Sequence, residues 1–193
     1  AKGPLMNERF SFTDLPLTGL FRKEQKQKKE ARGTFTRLFC DEELRAIGFK
    51  RPIVQINLSE TNRQGTIRGM HYQRPPFAEK KIVTCINGEI LDVVVDIRRD
   101  SKTFLKWHAE TLSATNKTAI YIPEGFAHGF QTLTNHCQLL YFHSQSYAPA
   151  HAMTLNALDP AFSIDWPFPV INRSDNDCAA PMIDPQFTGV GFE

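Results

Sequence analysis

Residues 66–81 read TIRGMHYQRPPFAEKK, which sets a lone histidine, His71, between β-type residues and a Pro-Pro loop. Two lysines, Lys80 and Lys81, close the stretch. A histidine in such a place serves as a metal ligand, as an acid–base group, or only as a polar side chain lying on a sheet. For acid–base work it suits neutral pH, because an unperturbed imidazole titrates at about 6.5. Which role applies depends on what the rest of the chain brings to it.

The chain of 193 residues is long enough to bury a substantial core as one domain, read here as running from Met6 to Glu193. Residues 1–5 precede Met6, taken as the natural start, and read as a short leader foreign to the domain. Hydrophobic residues make up 41% of the chain, and 15 phenylalanines suit a sheet-lined interior. The formal charge of +2 gives no general affinity for nucleic acid or a membrane surface. The basic run RKEQKQKKEAR at 22–32 also carries acids and reads as a solvated loop. Cys40, Cys85, Cys137 and Cys178 are widely spaced, which favours reduced thiols in a cytoplasmic protein over a disulfide framework. No apolar run approaches the roughly 20 residues a membrane helix needs.

Strand signals dominate. KIVTCINGEILDVVVDI (81–97) holds two β-branched runs joined by Asn87-Gly88, a strong hairpin signal, and TLSATNKTAIYIP repeats the design around Asn116-Lys117. GFQTLTNHCQLLYFHSQSY (129–147) gives two further strands broken near Asn135-His136. Turns recur between residues 51 and 147 at the spacing of a sandwich or barrel. A short helix is expected at CDEELRAIGF, capped by Asp41 and ended by Gly48. The Pro-rich tail from Asp159 onward should be extended and wrap the sheets. The fold expected is all-β.

Two segments resemble the paired motifs of the cupins, which are double-stranded β-helices, or jelly rolls. PEGFAH (123–128) resembles the second, a P-x-G-x-x-H pattern that places His128 after a tight turn. The first motif of metal-binding cupins supplies H-x-H, but here HYQ puts Gln73 at the second histidine. A neutral amide is a poor transition-metal ligand, so no metal is expected and His71 is left for proton transfer.

RGMHYQ, VVVDIRRDSKTFLKW, IPEGFAHGF, LLYFHSQSY and DPAFSIDWP, in this order from about Arg32 to Asp184, closely resemble the dTDP-4-dehydrorhamnose 3,5-epimerase family of cupins. The resemblance implies a homodimer that uses neither metal nor cofactor. Its substrate would be a nucleotide-diphospho-4-keto-6-deoxyhexose, in deoxysugar biosynthesis. Carbons 3 and 5 of such a sugar flank the ketone, so their hydrogens are acidic through an enolate. Inversion needs a base on one face, a proton donor on the other, and a group to hold the enolate oxygen. The resemblance implies His71 as base, Asp177 of SDNDCAAP as its partner, Tyr141 as donor on the opposite face, and Lys81 at the keto oxygen. It places Arg68 and His128 at the diphosphate and Gln55 and Asn57 along the nucleotide–sugar pocket. Tyr147 would stack near the base, and Arg32 would be donated from the partner subunit.

The departures fall on the nucleotide side. RGTFTR stands where family members commonly read RGFFxE, so Arg37 replaces a carboxylate that can accept from the thymine ring. LNALDP replaces IRWNDP, Asn176 replaces a lysine, and Ser146 replaces a tyrosine. A cytidine-, uridine- or guanosine-linked sugar, with inversion at one carbon, is the alternative. A 3,4-ketoisomerase would call for a second histidine near His71, and a catalytically silent sugar-nucleotide-binding cupin would call for loss of His71, Tyr141 or Asp177.

Overall fold

The computed structural model describes residues 5–6 and 9–191. Residues 1–4, most of the segment read as a leader, lie outside the described residues. Leu5–Met6 form β1, which pairs with β2. The strands that follow are β2 (Phe10–Asp14), β3 (Phe21–Gln25), and the hairpin β4 (Gln27–Glu30) and β5 (Gly33–Thr36). After helix α1 (Asp41–Arg45) come β6 (Gln55–Thr61), β7 (Ile67–Gln73), β8 (Lys81–Asn87), β9 (Glu89–Asp96) and β10 (Trp107–Ser113). The series ends with β11 (Thr118–Ile122), β12 (Phe126–Thr132), β13 (Cys137–His143), β14 (Ala152–Thr154) and helix α2 (Asp175–Ala179).

These strands build two antiparallel sheets, as the sequence leads one to expect of an all-β jelly roll. One has seven strands in the order β1-β2-β3-β11-β8-β13-β6, and the other has five, β10-β9-β12-β7-β14. The order corrects the sequence reading of Asn87-Gly88 and Asn116-Lys117. Neither turn closes a hairpin: β8 pairs with β11 and β13, whereas β9 pairs with β10 and β12. Each turn instead carries the chain from one sheet to the other, with Gly88 at φ +77° and Lys117 at φ +54°. The cause lies in the strands themselves. Both faces of β8 and β9 are apolar, and a two-stranded hairpin can bury only one.

Period-two alternation then sorts the side chains. Val83, Val94, Leu112, Ile120, Phe130 and Leu139 point inward and fill the space between the sheets. Val93, Val95 and Ile97 point the other way, where Leu155, Phe162 and Trp166 of the C-terminal segment cover them. On the outside of the larger sheet, Ile82, Ala119 and Phe142 meet Leu44 and Phe49, which α1 and the turn after it deliver. In α1 the N-cap is Cys40, with no side-chain cap, and not Asp41 as expected. Asp41 lies in the first turn and pairs with Arg45 at 2.7 Å. Gly48, at φ +86°, ends the turn as anticipated.

The tail is mostly irregular and wraps the smaller sheet, but α2 interrupts it. Ser174 caps this helical turn by accepting from the Asp177 N–H at 3.1 Å. The S-x-x-D spacing at 174–177 is the sequence signal for it.

Candidate active site

An open pocket of about 840 Å³ lies between the sheets, and His71, Lys81, His128 and Tyr141 all line it. His71 stands on β7 of the five-stranded sheet. Tyr141 and Lys81 stand on β13 and β8 of the seven-stranded sheet. An imidazole on one wall therefore faces a phenol and an ammonium on the other.

His71 is held from behind. Its Nε2 lies 2.7 Å from Oδ1 of Asp177, whose side chain is buried while the histidine is half exposed. Oδ2 of Asp177 accepts from the Gly69 N–H at 3.2 Å, so the carboxylate is fixed at both oxygens. Burial pushes the Asp177 carboxyl up, but the His71 hydrogen bond and the Gly69 N–H outweigh it and hold the group below the usual range. An ionised Asp177 only accepts, so Nε2 carries the hydrogen and Nδ1 keeps its lone pair. The strand carrying His71 comes unusually close to β12. A Cβ added at Gly129 would sit 2.6 Å from the Arg68 carbonyl oxygen. Only glycine at 69 and 129 admits this approach, which sets His71 directly across from His128.

The Tyr141 hydroxyl lies 3.0 Å from the Ser59 hydroxyl. Burial pushes its pKa up to about 12, only partly opposed by Ser59, so it is a neutral phenol with a proton to give. Lys81 is buried, with Nζ 3.2 Å from Oε1 of Glu79, and the other Glu79 oxygen meets Nδ1 of His143 at 2.7 Å. Burial pushes the Glu79 carboxyl up, but Lys81 and His143 pull it down to about 2. An acid depressed from 4.5 to about 2 stabilises the fold above the unfolded value and loses that contribution as pH falls towards 2. The depression corresponds to on the order of 3 kcal/mol. Urea unfolding of Glu79→Gln should accordingly show a deficit against wild type at pH 6 that shrinks steadily below pH 4.5.

The remaining expected residues divide. Arg68 lines the pocket and donates to Thr61 Oγ1 at 3.0 Å and the Glu60 carbonyl at 2.9 Å. Gln55, Asn57 and Tyr147 line the pocket, and the Tyr147 ring is exposed. His128 lies at the floor, buried, with Nε2 2.7 Å from Asp92. Burial pushes His128 down and Asp92 up, so this pair offers the pocket a neutral imidazole and not a cation. Arg32 is not brought to the pocket of its own chain; it sits exposed on the β4–β5 hairpin, paired with Glu30 at 2.9 Å. Arg37 likewise turns to Glu43 at 3.3 Å. Sequence reasoning missed Ser59, Glu79 and His143. Period two was the available signal: Glu79 precedes Lys81 by two residues, and His143 follows Tyr141 by two.

Gln73 is fully engaged in the backbone. Its amide donates to the Phe77 and Ser146 carbonyls at 2.9 and 3.3 Å and accepts from the Ala148 N–H at 2.7 Å. It pins the loop around Tyr147.

A carboxylate-backed imidazole facing a protonated phenol and an ammonium, across an open cleft between the sheets of a jelly roll, is the equipment of an acid–base enzyme. Comparison with known proteins narrows this. A profile of the dTDP-4-dehydrorhamnose 3,5-epimerase family matches residues 14–184. The Salmonella typhimurium dTDP-4-dehydrorhamnose 3,5-epimerase is 43% identical over 72% of this chain and 75% of that protein. A dTDP-4-dehydro-6-deoxyglucose 3-epimerase of Streptomyces bikiniensis is 36% identical over 88% of this chain and 87% of its own. The structure of a Legionella pneumophila dTDP-6-deoxy-D-glucose-3,5-epimerase in complex with dTDP-4-keto-L-rhamnose superposes with a TM-score of 0.88 at 33% identity, covering 94% of this chain and 98% of that one. The chain belongs to the dTDP-4-dehydrorhamnose 3,5-epimerase family.

Proposed function

We propose that the protein inverts carbons 3 and 5 of dTDP-4-dehydro-6-deoxyglucose through an enolate. The single observation that carries this reading is the placement of His71 and Tyr141 on opposite sheets, across one pocket that also holds Lys81. His71 Nδ1 removes the proton beside the ketone, and Asp177 stabilises the imidazolium that forms. Negative charge moves onto the keto oxygen, where the Lys81 ammonium meets it in a partly water-excluded wall. The Tyr141 phenol then returns a proton to the opposite face. Rotation of the ring between steps brings the second acidic carbon to the same base. The Arg68 guanidinium and the amides of Gln55 and Asn57 suit the diphosphate and nucleotide. The test is proton NMR of dTDP-4-dehydro-6-deoxyglucose incubated with the enzyme. Signals of the 3,5-inverted keto sugar are expected, and an unchanged spectrum would refute the reading.

None of these steps calls for a metal, and the Gln73 amide is spent on the backbone. Turnover is therefore expected to survive exhaustive EDTA dialysis within about twofold, followed by the same NMR assay.

The active form is proposed to be a homodimer. Among the described residues, strand β6 ends the larger sheet with one edge unpaired, and Val54, Ile56 and Leu58 on and beside it are each more than half exposed. Proteins blunt or cover such an edge. A second copy would cover it and could bring Arg32 of its hairpin to the pocket. Sedimentation equilibrium should give twice the 22.0 kDa chain mass. Four unpaired cysteines suit a reducing cytoplasm, and no helix among the described residues is long and apolar enough to cross a membrane.

A further inference from the structure

Along the pocket wall runs a continuous line of polar contacts that ends at Lys81. It begins at the Tyr147 N–H, which donates to Gln55 Oε1 at 3.0 Å. Gln55 Nε2 donates to Asn57 Oδ1 at 3.2 Å, and Asn57 Nδ2 lies 3.2 Å from Nε2 of His143. Nδ1 of His143 meets Glu79 Oε2 at 2.7 Å, and Glu79 Oε1 receives Lys81 Nζ at 3.2 Å. Strand register makes the line possible, because His143 on β13 sits directly between Gln55 of β6 and Lys81 of β8.

The direction of every link is forced by the two ends. A backbone N–H only donates, and the Glu79 carboxylate, held ionised, only accepts. Each amide between them must therefore donate onward, since inverting Gln55 would set donor against donor at Tyr147 and inverting Asn57 would do so at Gln55. His143 is consequently fixed with hydrogen on Nδ1 and a bare Nε2, its ring stacked parallel to that of Tyr141 at 6.1 Å between centroids. The rim of the pocket and the ammonium proposed to meet the keto oxygen are thus parts of one oriented chain.

We infer that His143 and Glu79 are positioning residues that couple the Lys81 ammonium to the Gln55–Tyr147 rim, so that nucleotide-side contacts act on turnover and not only on binding. The inference rests on the epimerase reading and on Lys81 at the ketone. Each of Gln55 and Asn57 has a second amide hydrogen for the bound nucleotide sugar. A ligand engaging them braces a chain whose far end is Lys81. Contacts remote from the reacting carbon then contribute to kcat.

The test is a cycle on kcat with dTDP-4-dehydro-6-deoxyglucose as the probe. His143→Asn keeps a donor near Nδ1 for Glu79 but is too short to reach Asn57. Gln55→Leu is expected to lower kcat roughly tenfold in the wild-type background and less than twofold in His143→Asn. Equal loss in both backgrounds would overturn the coupling, as would no loss in either. Unfolding midpoints of the variants confirm that folded enzyme is compared. Long-range ¹H–¹⁵N correlation of the wild-type imidazoles gives a readout independent of turnover. A proton on Nδ1 of His143 is expected, and one on Nε2 alone would refute the oriented chain. Failure of wild type to epimerise the sugar would instead strike the functional reading and leave the imidazole result standing.

Discussion

His71→Asn should abolish deuterium exchange at both carbons flanking the ketone while dTDP still binds. The shorter side chain leaves Oδ1 of Asp177 without its partner, but Oδ2 remains tied to the Gly69 N–H, so the carboxylate keeps its place in the wall. What is lost is the lone pair on Nδ1. A general base contributes about 10²–10⁴-fold, and the neutral imidazole of His128 on the same sheet is buried against Asp92. Exchange rates come from NMR in D₂O and dTDP affinity from calorimetry. Exchange within tenfold of wild type would remove His71 from its role.

Tyr141→Phe is expected to separate two rates that wild type keeps together. Net inversion needs a proton delivered to the face opposite His71, and the Tyr141 phenol, neutral with its pKa pushed up to about 12, is the donor on that wall. Without it, inversion should fall by about 10²-fold or more. Solvent exchange should fall less, because the imidazolium of His71 can return a deuteron to the face it came from. The phenylalanine keeps the ring that stacks on His143 and leaves only the Ser59 hydroxyl without its partner. Equal loss of inversion and exchange would make Tyr141 a group that positions the sugar.

Much of the fold was legible because its cause is local. Two-sided apolar runs such as DVVVDI and IVTCI mark strands buried on both faces, and their turns carry the residues that turns need. What local reading could not decide is which strands pair. Asn87-Gly88 looks like a hairpin turn, yet here it is a corner between sheets, because pairing follows burial of both faces and not the turn alone. The His71–Asp177 pair spans 106 residues, so only the family resemblance joined them; period and propensity are silent at that range. Glu79 and His143 escaped notice because each looks ordinary by itself, one acid before two lysines and one histidine closing a strand. Their meaning lies in β8 and β13 being neighbours. Arg37, read as standing where relatives carry a carboxylate towards the thymine ring, pairs in this chain with Glu43 through Nη1 at 3.3 Å.

The central claim is that inversion runs through an enolate, with His71 taking a carbon-bound proton and Tyr141 supplying a different, solvent-exchangeable one. The most direct test is single-turnover epimerisation of dTDP-4-dehydro-6-deoxyglucose in D₂O, with the positions of deuterium read by NMR. The expected result is deuterium at carbons 3 and 5 of the inverted product and at no other ring carbon, with no label in His71→Asn. Label at carbon 3 alone would make the enzyme a single-site epimerase by the same chemistry. Inverted product that carries no solvent deuterium would contradict the enolate with two opposed acid–base groups.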